Sequence, residues 1–377
     1  MPHNSRISTT DLRYKNRNII YRYLYQTRHP RTKQEIAQEL SFSLPTVTQN
    51  LNELLEAGLI AYAGFIDSSG GRRARTVQIV ADAKIAVGIE LSTKQIQLVA
   101  IDLYGQKLAC RCVNCKFEYN EEYQRNIARL LEHFLDDFSL DRNHLLGVGI
   151  TLPGVVNRHT DTIEIAPVLH VKDMDVSFLT ERIPYPVLVG NDASDAGYAE
   201  CWNWGDQNTM AYLLLGKGVG GAVVIEGKPY FGQNHRSAEF GHICIEPNGR
   251  VCSCGMRGCF EAYCSTVRIS DDLGITLDEF FSQLNAGNQK YKAVFDEYID
   301  HLVCGIHTIR MMMDCEVVLG GRIVLKLEPY VNLLREKLAQ RDIFESDGSY
   351  LHLGTCGAEA SCIGAGLRYV ADFLHNV

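Results

Sequence analysis

The chain has 377 residues, enough for two or three domains. With 46% hydrophobic and 22% charged residues every part can bury a core, and no apolar run approaches the roughly 18–20 residues of a bilayer-spanning helix. The net charge of −8 is unevenly divided: residues 1–80 carry 11 Lys and Arg against 6 Asp and Glu, whereas residues 81–377 carry 26 against 39. This asymmetry predicts that only the N-terminal segment contacts nucleic acid.

The N-terminus and the cysteine content bear on the cellular compartment. The chain begins Met1-Pro2-His3 and lacks the apolar stretch of a secretory signal peptide. Thirteen cysteines without an export signal favour reduced thiols and metal binding over a disulfide framework. We therefore expect a cytoplasmic protein with no membrane partner.

Three helices are predicted in the first sixty residues. The first covers residues 11–27, where apolar side chains recur at helical spacing. A second begins after Thr32, a predicted N-cap, and Glu35 completes a capping box. A third opens at Ser43, with Pro45 in its first turn, where a missing N–H costs little.

The second and third helices, joined by a tight turn, are typical of a helix-turn-helix. The third helix turns its leucines inward and small polar side chains outward, and such a helix can enter the major groove and contact base edges. The alternative is a small helical bundle used for protein contacts. The predicted base-reading residues are Thr46, Thr48, Gln49 and Asn50.

A predicted hairpin follows this helix and resembles the wing of a winged helix. Strands are expected at residues 59–65 and 76–80, joined by a turn at residues 67–71. The arginines beside the tip suit phosphate or a narrow minor groove. We therefore expect residues 1–80 to form a winged helix-turn-helix DNA-binding domain. The arginines in question are Arg72, Arg73 and Arg75.

The rest of the chain alternates predicted strands and helices. Strands are expected at 85–103, as a hairpin, and at five later apolar runs between 146 and 319. Helices are expected at residues 121–138, 276–285, 290–313, 328–341 and 362–374. Such mixing is typical of an α/β protein, and two successive sets of hairpins and helices suggest two lobes around a cleft.

Polar residues follow one of these strands directly. Asn191 and Asp192 come after the apolar strand at residues 187–189, at the edge where clefts form in α/β proteins. A sugar presents hydroxyls that both donate and accept hydrogen bonds, so carboxylates and amides are its natural partners. Glu239 and Glu261 lie just outside the two ends of a metal-like loop, which would order them.

That loop is the strongest single signal in the chain. His242-x9-Cys252-x-Cys254-x4-Cys259 supplies one imidazole and three thiolates, a common closed set for structural Zn²⁺. Cys244, two residues past His242, is a rival ligand, and a chance accumulation of cysteines is the alternative. A further group at residues 110–115 is better explained as the edge of a strand.

Together these stretches resemble the ROK family of repressors, open reading frames and sugar kinases. The matching stretches are Leu152-Pro-Gly-Val-Val156, Gly190-Asn-Asp-Ala193, Leu215-Gly-Lys-Gly-Val-Gly-Gly221, Glu239-Phe-Gly-His242, the cysteine loop and Leu319-Gly-Gly321. The resemblance implies an actin-like, two-lobed sugar-kinase fold with a sugar in its cleft and zinc holding one wall. It implies a first lobe of residues 84–190 plus 363–377 and a second lobe of residues 191–362 with the sugar site and zinc loop.

The resemblance also implies roles for single residues. His242 would use one ring nitrogen for zinc and the other for sugar, and in the family's kinases the aspartate matching Asp192 takes the proton from the attacking hydroxyl. The sugar-binding set that it implies is Gly154, Asn191, Asp192, Glu239, His242 and Glu261.

The phosphate loops separate a kinase from a sensor. Kinases of this family carry Asp-x-Gly-Gly-Thr-Lys on the first hairpin, where this chain has Glu90-Leu-Ser-Thr-Lys-Gln95. Side chains replace both glycines that would let backbone N–H groups approach a phosphate. The second loop, residues 216–221, keeps four glycines but has Lys217 where threonine is usual.

We therefore expect a sugar-responsive transcriptional repressor that binds operator DNA as a homodimer or tetramer. An alternative is a sugar kinase with a DNA-binding head, in which Asp192 is the base. A third possibility is a repressor governed by a sugar-transport regulatory protein. The sequence leaves open which sugar binds and whether it releases or recruits the repressor.

Overall fold

A small helical unit with its own sheet forms the N-terminal part of the structure, a computed structural model that describes residues 9–66, 73–205 and 208–377. β1 pairs with β3, and β3 with β2, all antiparallel. The predicted turn at residues 67–71 and Arg72 lie outside the described residues. The elements are α1 (Thr9–Thr27), β1 (Arg31–Thr32), α2 (Lys33–Glu39), α3 (Leu44–Glu56), β2 (Ile60–Ile66) and β3 (Ala74–Ile79).

Both predicted helix starts in this unit are confirmed. The Thr32 hydroxyl accepts a hydrogen bond from Glu35 N (3.2 Å), and a Glu35 carboxylate oxygen accepts one from Thr32 N (2.6 Å). This capping box satisfies two backbone donors that the start of α2 would otherwise leave unpaired. Ser43 caps α3 by accepting from Thr46 N (3.2 Å), with Pro45 in the first turn.

The first half of the body is built on a five-stranded sheet of order β11-β7-β4-β5-β6. β11, β7 and β4 are parallel, and β5 and β6 continue antiparallel from β4. A second, three-stranded sheet, β8-β9-β10, was not predicted, since each of its strands is only 3–5 residues long. The elements are β4 (Ile85–Leu91), β5 (Gln95–Ile101), β6 (Lys107–Asn114), α4 (Glu121–Asp137), β7 (Leu145–Leu152), β8 (Val155–Asn157), β9 (Thr162–Ala166), β10 (Val171–Asp175), α5 (Ser177–Thr180), β11 (Val187–Asn191) and α6 (Asp192–Trp202).

The second half repeats this pattern. Its sheet has the order β14-β13-β12-β15-β16, with β12, β15 and β16 parallel and β13 and β14 antiparallel. Strand connectivity is thus the same in both large sheets. The elements are β12 (Met210–Leu215), β13 (Val219–Ile225), β14 (Lys228–Pro229), α7 (Glu261–Cys264), α8 (Leu277–Asn285), α9 (Gln289–Met313), β15 (Glu316–Gly320), α10 (Val324–Leu327), α11 (Val331–Ala339), β16 (Leu351–Leu353) and α12 (Ala360–Asn376).

Helices cover both faces of each large sheet. Successive side chains of a strand point to opposite faces, so apolar residues on both faces need a helix packed on each side. In the first sheet, Val87 and Ile89 pack with the apolar side of α4, while Ala86 joins a cluster with α12. In the second, Leu213 packs with α9, and Tyr212 faces Ala196 of α6. The fold is therefore a mixed α/β architecture.

The last helix returns to the first half and crosses α6 very closely. A Cβ on Gly364 would lie 1.7 Å from Asp195 O, and one on Gly88 would lie 1.8 Å from Cys362 O. Only glycine allows backbones to approach in this way. Buried Glu200 of α6 fixes the loop before α12 by accepting hydrogen bonds from Thr355 N and Cys356 N, both at 2.9 Å.

The N-terminal unit docks on α12 and on the β5–β6 turn. Its buried residues Ile20 and Leu24 belong to one apolar cluster with Val370 and Leu374 of α12. Asn18 Nδ2 donates to Leu374 O (2.9 Å). The structure therefore holds α1 against the body through apolar packing and hydrogen bonds. Within the described ranges, no helix has the length and apolarity needed to cross a bilayer.

Candidate functional site

A cleft lies between the β8–β9 region and the segment that follows β13. Three members of the predicted sugar-binding set line it, namely Gly154, Asn191 and Glu239. Arg158 and His235, which were not predicted, line it too.

Asn191 sits where β11 ends and α6 begins, and its side chain is fixed by three hydrogen bonds. Its Oδ1 caps α6 by accepting from Ser194 N (2.8 Å), and its Nδ2 donates to Gly154 O (3.1 Å) and to Asp192 Oδ1 (3.2 Å). A Cβ on Gly154 would lie 2.7 Å from the Ala166 side chain, so this loop position requires glycine. The strand-to-helix junction thus places a rigid amide at the cleft wall.

Asp192 follows directly and is half-buried. Burial raises the pKa of its carboxyl to about 6, with the Asp195 and Glu239 charges adding to the effect and a hydrogen bond from Ala193 N opposing it. Oδ1 accepts that bond at 2.8 Å, whereas Oδ2 accepts none from the residues that the structure describes. One carboxylate oxygen is therefore left for a ligand hydroxyl.

Glu239 faces the cleft from the opposite wall, beside the turn that ends at His242. The surrounding wall raises the pKa of Glu239 by desolvation, and the Glu261 charge adds to this while His242 opposes it. The Glu239 side chain is itself exposed, so its carboxylate is open to a ligand hydroxyl.

The four predicted metal ligands come together in space. One nitrogen or sulfur atom from each of His242, Cys252, Cys254 and Cys259 lies within 4.8 Å of the others. Two of the pairs, His242 Nδ1 to Cys252 Sγ and Cys254 Sγ to Cys259 Sγ, are 3.8 Å apart. Ligands at about 2.3 Å in a tetrahedron are themselves about 3.8 Å apart, so this donor set fits a bound metal ion.

The rival ligand Cys244 is not part of this cluster. It pairs with Cys259 through an antiparallel backbone bridge, and its Sγ lies 4.0 Å from Arg257 O. Gly258, with φ +80°, brings the loop back, and a Cβ there would lie 1.9 Å from Glu246 O. The described part of the chain holds no second group of this kind, so the cysteines at residues 110–115 form none.

Glu261 contacts two loops through its carboxylate. One carboxylate oxygen accepts from the Ser253 hydroxyl (2.5 Å) in the cysteine loop, and the other accepts from Val219 N (3.0 Å) in the glycine-rich loop. Both oxygens are thus engaged by protein. The carboxylate joins the metal-like loop to the second phosphate loop.

The predicted first phosphate loop is a closed turn. Ser92 Oγ accepts from Gln95 N (3.1 Å), and Ser92 N donates to Gln95 O (3.0 Å). The carbonyls of Thr93 and Lys94 accept from the segment after β6. In the second loop, exposed Lys217 forms an ion pair with Asp271 (2.7 Å). The N–H groups of Ser92 and Gln95 in the first loop, and the ammonium group of Lys217 in the second, therefore already have partners.

Helix α3 exposes only part of the predicted base-reading face. Gln49 is exposed, and Thr46 and Thr48 are half-buried. The prediction that Asn50 points outward is wrong: Asn50 is buried and donates from Nδ2 to Thr46 O (2.8 Å). It lies in the same stripe as the buried leucines, because positions three and four apart share a helix face.

On the hairpin, Arg75 is held by an aromatic ring. Its guanidinium lies 3.2 Å from the centre of the exposed Tyr62 ring. Arg73 is exposed and has a partner of its own, and Arg72 lies outside the described residues. Stacking orders a long, flexible side chain at the surface, so Arg75 is preorganised for an anionic partner.

Comparison with known proteins identifies the relatives of this chain. A family model described as ROK matches residues 86–367. The chain is 28% identical to a xylose repressor of Caldicellulosiruptor bescii over 62% of this chain and 60% of that protein. It is 27% identical to the N-acetylglucosamine regulator NagC of Escherichia coli over 70% of this chain and 66% of that protein. Each match thus spans less than two thirds of the relative.

Solved structures share the fold. A ROK family transcriptional regulator, a homologue of the Escherichia coli Mlc protein, matches with a TM-score of 0.77 and 19% identity over 97% of both chains. A ROK hexokinase from Thermus thermophilus matches with a TM-score of 0.65 and 25% identity, over 77% of this chain and 99% of the hexokinase. The first likeness includes the N-terminal helical unit.

The raised pKa of Glu90, next to the closed turn, should make the stability of the protein depend on pH. Burial raises the pKa of Glu90 to about 7, with the Asp192 charge adding and Arg322 opposing. Between the ordinary value near 4.5 and about 7, the folded protein binds more protons here than the unfolded chain, so stability falls as pH rises. Glu90→Gln should raise the free energy of unfolding at pH 8 by about 1–2 kcal/mol and leave it unchanged at pH 4.5.

Urea unfolding at the two pH values measures this difference. Glu122→Gln, on the exposed face of α4, is the matched control and should alter neither value. An equal fall in stability with pH in Glu90→Gln and in the wild-type protein would show that Glu90 does not cause it.

Proposed function

The chain belongs to the ROK family, and we propose that it is a DNA-binding transcriptional repressor whose operator affinity responds to a sugar bound in the cleft. One observation carries this proposal: the cleft keeps polar groups suited to hydroxyls beside a first phosphate turn closed by its own side chains. Relatives that bear the names xylose repressor and N-acetylglucosamine repressor support it.

We propose a separate role for each of three parts of the chain. Residues 1–80 act as a winged helix-turn-helix, residues 84–190 with 363–377 as the first actin-like lobe, and residues 191–362 as the second. The N-terminal unit supports the first assignment, because it has two helices joined by a tight turn, a following hairpin and an excess of basic residues.

Sugar binding is proposed from the chemistry of the cleft walls. Asn191 and Glu239 line the cleft, and Asp192, next to Asn191 in the chain, has an oxygen without a partner among the described residues. Amide and carboxylate groups held in this way fix the orientation of a hydroxylated ring. The other predicted sugar ligands, His242 and Glu261, lie at the metal-like loop, where His242 Nε2 accepts or donates no hydrogen bond within the described ranges.

A sugar kinase is the second candidate, favoured by the oxygen of Asp192 that is left for a ligand. In such an enzyme Asp192 would accept a proton from the attacking hydroxyl, and its raised pKa suits a base. The turn at residues 92–95 argues against it, since side chains replace both glycines of the kinase loop and the N–H groups of Ser92 and Gln95 already have partners within the turn.

We propose structural Zn²⁺ as the metal of the cysteine loop. A closed set of three thiolates and one imidazole gives zinc no open position for chemistry. When bound, the ion would stabilise the loop. Through its hydrogen bonds to Ser253 and to Val219 N, Glu261 would then also hold the glycine-rich loop at the edge of the cleft in place.

Operator recognition by a winged helix usually uses paired heads matched to a two-fold site, so we propose a homodimer or tetramer. The sugar must bind the two states of the protein with different affinity, and such coupling is typically ~1–3 kcal/mol. A sugar-transport regulatory protein remains an alternative effector.

The DNA-binding proposal predicts separable effects of two variants. Gln49→Ala should relax base preference at one position and cost about 1–3 kcal/mol on the preferred site. Arg75→Gln should weaken binding to all sequences and lower the slope of log affinity against log salt by about one per head. Duplexes selected from a random pool, followed by salt titrations, measure both, with Gln283→Ala on α8 as control. Unchanged selection and salt slope would contradict the assignment.

The sensor proposal predicts the behaviour of Asp192→Asn. The variant should bind operator without sugar as the wild type does, but need about tenfold more sugar for the same change in affinity, because the carboxylate is a stronger acceptor than an amide. Gel-shift titrations with xylose, glucose, N-acetylglucosamine and mannose measure this, and exposed Asp314→Asn is the matched control. ADP release by the wild-type protein that Asp192→Asn abolishes would instead establish the kinase.

The zinc proposal predicts that metal content depends on the loop. Purified protein should hold about one zinc ion per chain, and Cys254→Ser should lose most of it on dialysis and also weaken the sugar response. Cys304→Ser, a half-buried cysteine outside the cluster, should retain it. Elemental analysis measures the zinc content per chain of each variant. Equal zinc content in Cys254→Ser and Cys304→Ser would rule out the loop as the zinc site.

A further inference from the structure

A second cavity lies at the end of α6 that is remote from the cleft. Its volume is about 350 Å³, which falls in the range of small-molecule sites. α6 has 11 residues, so its two ends are about 15 Å apart. None of the described residues that line the cleft also lines this cavity. It is therefore a separate place for a ligand, and we call it the rear cavity.

Buried carboxylates fix two walls of the rear cavity. Asp102 closes the β5–β6 turn, since its Oδ1 accepts from Tyr104 N and Gln106 N, both at 2.8 Å. Glu200 of α6 holds the loop before α12 through two backbone N–H groups at 2.9 Å. Walls that are fixed in this way keep their shape without a ligand, which lowers the cost of binding one.

The charges in the lining of the rear cavity cancel. Its two charged side chains among the described residues, Lys107 and Glu359, form an ion pair of 3.0 Å with each other. Burial raises the pKa of Cys356 to about 12, and the Glu200 charge adds to this, so the thiol is neutral at pH 7. An ionic ligand would find no unpaired charge of opposite sign among these groups. The lining therefore favours an uncharged ligand.

Part of the lining is apolar and part is polar. Trp202, Ile363 and Leu367 supply buried or half-buried apolar surface. Gln106 and Asn203 are exposed and supply amide groups. Within the described residues the Gln106 amide has no hydrogen-bond partner, and Asn203 makes one weak contact, from Nδ2 to a thiol sulfur 3.7 Å away. A ring that packs on the indole while its edge bonds to the amides would satisfy both kinds of surface.

We propose that the rear cavity binds a small uncharged ring compound with hydrogen-bonding groups along its edge, and that this ligand changes the affinity for operator DNA. The effect on DNA rests on the proposed function, whereas binding itself does not. Two sources share this chemistry. The base of a nucleoside stacks on aromatic rings and pairs with amide side chains, and a neutral sugar presents hydroxyls that amides bind.

Trp202 joins the rear cavity to the N-terminal unit. Burial raises the pKa of Tyr25 on α1, and Arg28 and a hydrogen bond with Trp202 oppose this rise. Tyr25 also donates to Leu103 O (2.8 Å) and stacks on Tyr104 of the β5–β6 turn. The side chain that the ligand would contact therefore also contacts the helix through which the head docks. A ligand that prefers one position of Trp202 would prefer one position of the head.

Isothermal titration of the full-length protein measures binding. The probes are four nucleosides (adenosine, guanosine, cytidine and uridine) and three neutral sugars (xylose, glucose and N-acetylglucosamine), which distinguishes the two sources. The same titrations are made on Asp192→Asn, in which a sugar in the cleft binds more weakly and a ligand in the rear cavity does not. We expect at least one probe to bind at a site that Asp192→Asn leaves unchanged.

Variants assign this binding to the rear cavity. Trp202→Ala should weaken it about tenfold or more, because the ligand loses the surface on which its ring stacks. Asn203→Ala should weaken it about 3- to 10-fold through the loss of a hydrogen bond. Trp204→Ala removes the neighbouring tryptophan, which is outside the lining, and is the matched control. Thermal unfolding without ligand checks that each variant is folded.

Fluorescence locates the ligand independently of these truncations. The chain has two tryptophans, so the emission of Trp204→Phe comes from Trp202 alone. The bound ring should change that emission with the dissociation constant that titration gives. The emission of Trp202→Phe, which comes from Trp204, should stay constant.

Operator binding tests the second part of the proposal. A saturating concentration of the probe that binds should change the operator dissociation constant of the wild-type protein about fivefold or more in a gel shift. Asn203→Ala keeps Trp202 and Tyr25 in place, so it should bind operator normally without probe. It should need about 3- to 10-fold more probe for the same change.

The outcomes separate the rear cavity from the proposed function. The rear-cavity proposal is overturned if none of the probes binds, or if Trp202→Ala and Asn203→Ala bind the probe as the wild-type protein does. Binding without a change in operator affinity overturns its regulatory part. Both results leave the sugar sensor standing, because the sensor is tested by Asp192→Asn in the cleft. A protein that binds no operator overturns the proposed function, and the titrations still decide whether the rear cavity binds a ligand.

Discussion

The close crossing of α6 and α12 is the constraint on which the rest of the structure depends. Gly364 permits it, because any side chain there would collide with the backbone at Asp195. α12 packs against the first sheet on one side and against the N-terminal unit at its end, while α6 packs against the second sheet. Buried Glu200 then fixes the loop that leads from the second sheet into α12. Two helices thus connect both sheets and the proposed DNA-binding head.

This arrangement gives the proposed regulation a physical route. α6 begins at Asn191 in the cleft and ends at Trp202, which lies against the β5–β6 turn beside Gly105. The same turn contacts α1, where Tyr25 stacks on Tyr104 and donates to Leu103 O (2.8 Å). A sugar that moves the start of α6 therefore acts on an element whose far end adjoins the head. Coupling along this route requires two states of the protein that differ in their affinity for the sugar.

The sequence could predict those features whose residues lie close together along the chain. The capping box at Thr32 and the four metal-like ligands lie within short stretches, so spacing alone located them. Asn50 was misplaced because the buried stripe of α3 is wide enough to take a polar residue that bonds its own helix. Arg158 and His235 were missed because they come from irregular loops far apart in the chain. No periodicity marks such residues, and only the folded chain brings them to one cleft.

Two separate elements explain how a kinase-like fold could lose catalysis and keep recognition. Phosphoryl transfer needs backbone donors free to hold a nucleotide, and the turn at residues 92–95 uses the N–H groups of Ser92 and Gln95 internally. Hydroxyl recognition needs only fixed side chains, which Asn191 supplies through the cap of α6. The two requirements fall on different elements, so one can be lost without disturbing the other.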